Sequence, residues 1–190
     1  MSTILCYIYP DMADFEVIVA LHRLRNAGKR RIITVADTPE EVVSQSGLRY
    51  LPDMTLAEAA AIDADALIIP GGPINNDQNA ILPLIRRLDA QDKLLAAICF
   101  GPQFLGRAGV LDKRRFTTSC TEAHIAANRL VDPFPRRNWV DRRVIQDGNV
   151  ITAQGHAFID FAMEICRYLH VYATPEQEYA ELGRTKETAG

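Results

Sequence analysis

Cys99 is the residue of this chain whose setting best suits covalent chemistry. It lies in Ala97-Ile98-Cys99-Phe100-Gly101, a small-x-nucleophile-x-small pattern. That spacing fits a sharp strand-to-helix turn, where larger side chains two before or two after the nucleophile would collide. The turn would set the sulfur at the start of the following helix. Unpaired amides and the helix dipole there favour a thiolate, a usable nucleophile at neutral pH. On spacing alone, the same five residues also fit a buried cysteine at a strand–helix junction. The pair Gly71-Gly72, after a neighbouring strand, weighs towards chemistry. Its amides, with that of Phe100, would form a hole for a developing oxyanion.

Glu16 is the second candidate. It falls in the first turn of the first helical stretch, and its neighbours at plus three and plus four, Val19 and Ala20, are apolar. Acids are favoured at helix N-termini, which is one explanation. The other is that partial burial raises its pKa, so that a protonated carboxyl donates a hydrogen bond to the thiolate. Spacing does not decide between them. Of the four histidines, His156 follows Gly155 directly after a strand and is the favoured general base; His124 is the next candidate. His22 and His170 lie on helices away from the strand ends. Cys120 and His124 have the i,i+4 spacing of a metal pair, but two ligands do not make a site, so no metal and no cofactor are expected.

These residues need a scaffold, and short apolar runs alternate with segments of helical period. Ile4–Tyr9, Arg31–Ala36, Ala66–Ile69 and Leu94–Ile98 read as strands, mostly continuous rather than alternating, as when both faces of a parallel sheet are covered. Ala13–Ala27 reads as an amphipathic helix stopped at Gly28, and a short helix is expected over Leu56–Ala61. Gln78–Gln91, a start at Gly101–Ala108, and Ala157–Leu169 also have helical character. Val42–Ser44 with Leu48–Tyr50 reads as a small hairpin, Phe116–Thr118 as a short strand, and Arg143–Gln146 with Val150–Ala153 as a second hairpin turned at Asp147-Gly148. The pattern implies an α/β fold with a mostly parallel sheet and helices on both faces, binding ligands at the carboxyl ends of its strands. One domain over 1–172 and a polar tail over 173–190 are expected.

Composition narrows the partners. The chain has 190 residues, 48% of them hydrophobic, and a net charge of -3, with only short basic clusters such as Lys113-Arg114-Arg115. Nothing in that balance calls for nucleic acid, and no appended DNA-binding domain is expected after Leu169. No window reads as a signal peptide or a membrane span. The four cysteines, Cys6, Cys99, Cys120 and Cys166, are scattered without a C-x-x-C pair, which suits a reducing, cytoplasmic setting.

Taken together, the motifs resemble the ThiJ/PfpI superfamily, deglycase-like proteins with a class I glutamine amidotransferase-like fold. The carriers are Tyr9–Glu16, Asp65–Gly72, Ala96–Pro102, Ala108–Leu111 and Asp147–Thr152, in that order. The resemblance implies a flavodoxin-like sandwich, a homodimer, Cys99 as the elbow nucleophile and Glu16 as the acid that hydrogen-bonds it. It also implies oxyanion amides from Gly72 and Phe100. Two positions depart from the superfamily pattern: Phe100 stands where one branch has a histidine after the cysteine, and Ser119 where another has one after Thr-Thr. Peptidase and deglycase chemistry thereby lose their usual base. The expected activity is cysteine-dependent hydrolysis or hydration of an electrophilic carbon in a small molecule, such as a 2-oxoaldehyde, a glycated adduct or an isocyanide. The alternative is a redox-responsive stress protein in which Cys99 is oxidised without turnover. A glutaminase-like reading fits less well, because His156 followed by Asp160 is a poor match for its late histidine and carboxylate.

Overall fold

The computed structural model describes residues 2–74, 79–174, 176–178 and 180. In chain order its elements are β1 (Thr3–Tyr7), α1 (Phe15–Asn26), β2 (Arg31–Ala36), β3 (Val42–Val43), β4 (Arg49–Tyr50), β5 (Met54–Thr55) and α2 (Leu56–Ala59). There follow β6 (Ala66–Ile69), α3 (Leu82–Ala90), β7 (Leu94–Ile98), α4 (Pro102–Arg107), α5 (Glu122–Ala127), β8 (Val144–Asp147), β9 (Val150–Ala153) and α6 (Phe158–Tyr168). One sheet runs in the order β5-β2-β1-β6-β7-β9-β8, parallel throughout except where β8 meets β9. Strands β3 and β4 form a separate antiparallel ribbon.

Every residue of β1, β6, β7 and β9 is buried, which is why these runs are continuously apolar. Helix α1 carries the chain from β1 out to β2, and α3 carries it from β6 out to β7 in the opposite direction. Right-handed crossovers therefore put α1 and α3 on opposite faces. Helix α1 packs with α6, and α3 with α4. The reversal lies between β1 and β6, and a crevice opens there at the strands' carboxyl ends. Tyr7 and Tyr9 stack at 5.1 Å under this crevice, with the Phe104 ring edge-on to both.

The α/β sandwich expected from the sequence is the one observed, with local differences. Phe116–Thr118 makes only an isolated bridge, Phe116 to Trp139, because the Thr117 amide donates to the Thr152 side chain instead of a neighbouring strand. Helix α5 has no counterpart in the sequence reading. Of the expected tail, residues 175, 179 and 181–190 lie outside the described residues; Glu178 pairs with Arg167 of α6. No helix among the described residues is long and apolar enough to cross a membrane.

Candidate active site

Strand β7 ends at Ile98, and the next residue turns sharply. Cys99 has φ of 62°, the left-handed region that a side chain occupies at a cost of about 1–3 kcal/mol. The surroundings over-determine it. Its amide donates to Ala153 O at 2.8 Å, and its carbonyl accepts from Thr118 Oγ1 at 2.6 Å and from the Ser119 amide at 3.1 Å. A β-carbon on Gly101 would lie 2.7 Å from Pro70 O and 2.8 Å from Ile69 O, so the turn needs glycine there. This is the elbow that the small-x-Cys-x-small spacing predicts.

Glu16 is 2% exposed, turned inward on the face of α1 that also buries Val17, Ala20 and Leu24. The Gly71 amide donates to its Oε2 at 2.7 Å, and the carboxyl hydrogen-bonds Cys99. Glycines wall the pair on two sides. A β-carbon at Gly71 would lie 2.5 Å from Glu16 Oε2 and 3.0 Å from Cys99 Sγ; one at Gly155 would lie 2.8 Å from Oε1 and 3.0 Å from Sγ. Two positions before Glu16, the buried Asp14 carboxyl accepts from Ser46 Oγ at 2.6 Å and Tyr50 Oη at 2.8 Å, tying the β3–β4 ribbon to the start of α1.

The electrostatics differ from the expectation of an acidified thiol. Burial pushes the Cys99 thiol up to about 12, and the charge of an ionised Glu16 and its hydrogen bond add to the rise. The Phe100 amide and the Ser119 side chain pull the other way. Ser119 Oγ already accepts from the Gly155 amide at 2.8 Å, so its O–H is the part that turns to the sulfur. Helix α4 begins only at Pro102 and is six residues long, too short a dipole to outweigh desolvation. Burial also raises the Glu16 carboxyl, and its bonds with Cys99 and Gly71 offset only part of that. A neutral Glu16 removes the charge repulsion and donates to sulfur, so a proton kept on Glu16 is the condition for a thiolate at Cys99.

The remaining candidates separate. Gly71, expected among the oxyanion donors, gives its amide to Glu16 instead. Gly72 and Phe100 line a cleft of about 480 Å³ with Asp11, Gln45, His124 and Asn128. Gly72 is packed so closely that a β-carbon would lie 2.7 Å from the Tyr9 ring. His156, the favoured base, is exposed and lines a different groove with Asp141, Arg142 and Arg143; the contact this loop makes with Cys99 is Gly155. His22 and His170 are exposed. Sequence reasoning treated Ser119 only as a missing histidine, although its hydroxyl reaches the sulfur. No group of three or more His, Cys, Asp or Glu among the described residues could hold a metal ion.

Known proteins resemble this chain in sequence and fold. A crystal structure of a DJ-1 superfamily protein from Agrobacterium tumefaciens superposes with a TM-score of 0.85 and 28% identity, over 100% of each chain. The deglycase PfpI of Pyrococcus furiosus is 30% identical over 149 residues, 76% of this chain and 84% of that protein. The isonitrile hydratase of Pseudomonas putida is 34% identical over 133 residues, 67% of this chain and 54% of that protein. The DJ-1/PfpI family model matches residues 2–168. With the cysteine elbow, its buried acid and the parallel sheet that carries them, this chain belongs to the DJ-1/PfpI family.

Proposed function

We propose that the protein is a cysteine-dependent hydrolase or hydratase of a small molecule with an electrophilic carbon, of the 2-oxoaldehyde, glycated-adduct or isocyanide type. The observation that carries this reading is the buried Glu16 carboxyl hydrogen-bonded to Cys99 at a strained turn beside an open cleft. The named activities of the Pyrococcus deglycase and the Pseudomonas isonitrile hydratase support it. Cys99 Sγ would bond to the electrophilic carbon while a π pair of that carbon moves onto its oxygen or nitrogen, facing the Gly72 and Phe100 amides. An isocyanide is thereby held as a thioimidate, and a 2-oxoaldehyde as a hemithioacetal that becomes a thioester when the C1 proton passes to C2 through an enediol. Water would then add to the sulfur-bound carbon, the C–S bond would break, and the thiol would be restored. Electrons balance without an external oxidant, so no cofactor is required.

The test is consumption of methylglyoxal or an alkyl isocyanide by wild type and by Cys99→Ser. The expected result is turnover by wild type and background rates for the variant; equal rates would end the reading. A second reading, oxidative sensing, is favoured by the three groups converging on Sγ: Glu16, the Phe100 amide and Ser119. Two equivalents of peroxide would each deliver one oxygen to sulfur and leave as water, giving a sulfinate. Intact mass after mild peroxide separates the two: a gain of two oxygens on Cys99 without aldehyde or isocyanide turnover selects the sensor. The homodimer implied by the family resemblance is also proposed; the exposed Phe15, Ile18, Leu48 and Leu51 offer apolar surface for a second copy to cover.

A further inference from the structure

Hydrolysis at Cys99 needs a proton carrier, and the two family positions for one hold Phe100 and Ser119. Among the four histidines, His124 alone is partly buried; His22, His156 and His170 are exposed. Its ring meets the Phe100 ring edge-on at 4.9 Å between centroids, and it lines the same cleft as Gly72 and Phe100. Hydrogen bonds tether its helix to the nucleophile. Thr118 Oγ1 donates to Cys99 O and accepts from the Cys120 amide at 3.2 Å. Thr121 then caps α5 by accepting from the His124 amide at 3.1 Å, and Asn128 Nδ2 donates to His124 O at 2.8 Å. Arg136 fixes the other side, donating to Cys120 O at 2.8 Å while pairing with Asp132. Asp11 is the other ionisable side chain lining the cleft among the described residues.

We propose that His124, delivered by α5, is the acid–base residue of this site, an assignment that rests on the hydrolase or hydratase reading above. In the hydrolytic half, a water oxygen bonds to the carbon held on Sγ, and one water proton passes to the neutral imidazole. The C–S pair returns to sulfur, and the imidazolium gives that proton to the thiolate. The net change is C–S and H–OH becoming C–OH and S–H, with no change of oxidation state. Phe100 acts here as the wall that orients the imidazole.

The experiment measures kcat/KM against pH for wild type, His124→Gln, His124→Ala and the control Asp11→Asn, with iodoacetamide labelling of Cys99 in each. The expected result is a loss of about 10²-fold or more in both His124 variants, the range for one general acid–base group. It includes loss of the acid limb of the profile, recovery of His124→Ala by added imidazole, unchanged labelling, and an intact limb in Asp11→Asn. Wild-type rates and profile in His124→Gln, with Cys99→Ser inactive, overturn this assignment while leaving the reading of the reaction in place. Absence of turnover by wild type overturns both.

Discussion

The nest around Cys99 and the crossover from Thr118 to Val140 sit side by side, yet they are held by different physics. The nest is made of strand ends and helix starts whose positions follow from buried apolar runs; two glycines and one turn let sulfur and carboxyl approach. The crossover buries few side chains of its own. Only Ile125 of α5 is buried, and the segment is held by polar fastenings: the Thr121 cap, Arg136 on Cys120 O and Asp132, and Arg136 over the Phe134 ring at 4.6 Å. Packing therefore fixes the reacting atoms, and replaceable polar contacts shape the cleft beside them. Within one fold, such a division lets the cleft change while the nucleophile stays put.

The contrast can be broken most severely in the nest. Gly101→Val would drive a side chain into three backbone carbonyls, and a loss of about 3 kcal/mol in urea unfolding, together with loss of Cys99 labelling, is expected. Thr121→Ala probes the crossover. Removing one cap costs about 1 kcal/mol, so the unfolding midpoint should move only about a third as far as in Gly101→Val while amide exchange quickens across α5. An equal global loss from both variants would erase the distinction.

The smallest expected effect is a change of slope. Because burial raises the Glu16 carboxyl, the folded state holds a proton that the unfolded chain releases near pH 4.3, the ordinary glutamate value. Its contribution is complete below that value and is lost as pH rises through the raised folded one, so stability should decline as pH climbs away from the ordinary glutamate value. Glu16→Gln should flatten that segment of the urea midpoint against pH, while an unchanged slope would place the proton elsewhere.

Much of the nest was legible because its signals are local. Ala97 and Gly101 around Cys99, Gly71-Gly72 after a buried run, and Glu16 on an apolar face each carry their reason in their neighbours. What escaped depends on contacts distant in sequence. Nothing near Gly71 says that its amide is taken by a carboxyl 55 positions earlier, and nothing near Cys99 measures its burial. His156 looked well placed because it follows a strand, but its neighbour Gly155 takes the contact. Helix α5 left only a faint trace, a threonine three residues before His124 in an alanine-rich stretch. Too few apolar positions recur there for a helical period to stand out.

The two acids at the start of α1 respond to acidity in opposite directions. Burial works against ionisation of Asp14, but hydrogen bonds from Ser46 and Tyr50 help to outweigh it and hold the carboxyl below its usual range. Its contribution is therefore present above the unfolded value and lost as pH falls through the folded one. Ribbon β3–β4 has strands of two residues, too short to persist alone, and Asp14 is its latch to the helix. Acidification thus secures the proton beside the sulfur and unfastens the ribbon, while alkalinity does the reverse. One helical start holds a chemical setting and a mechanical one, and proton concentration trades the first against the second.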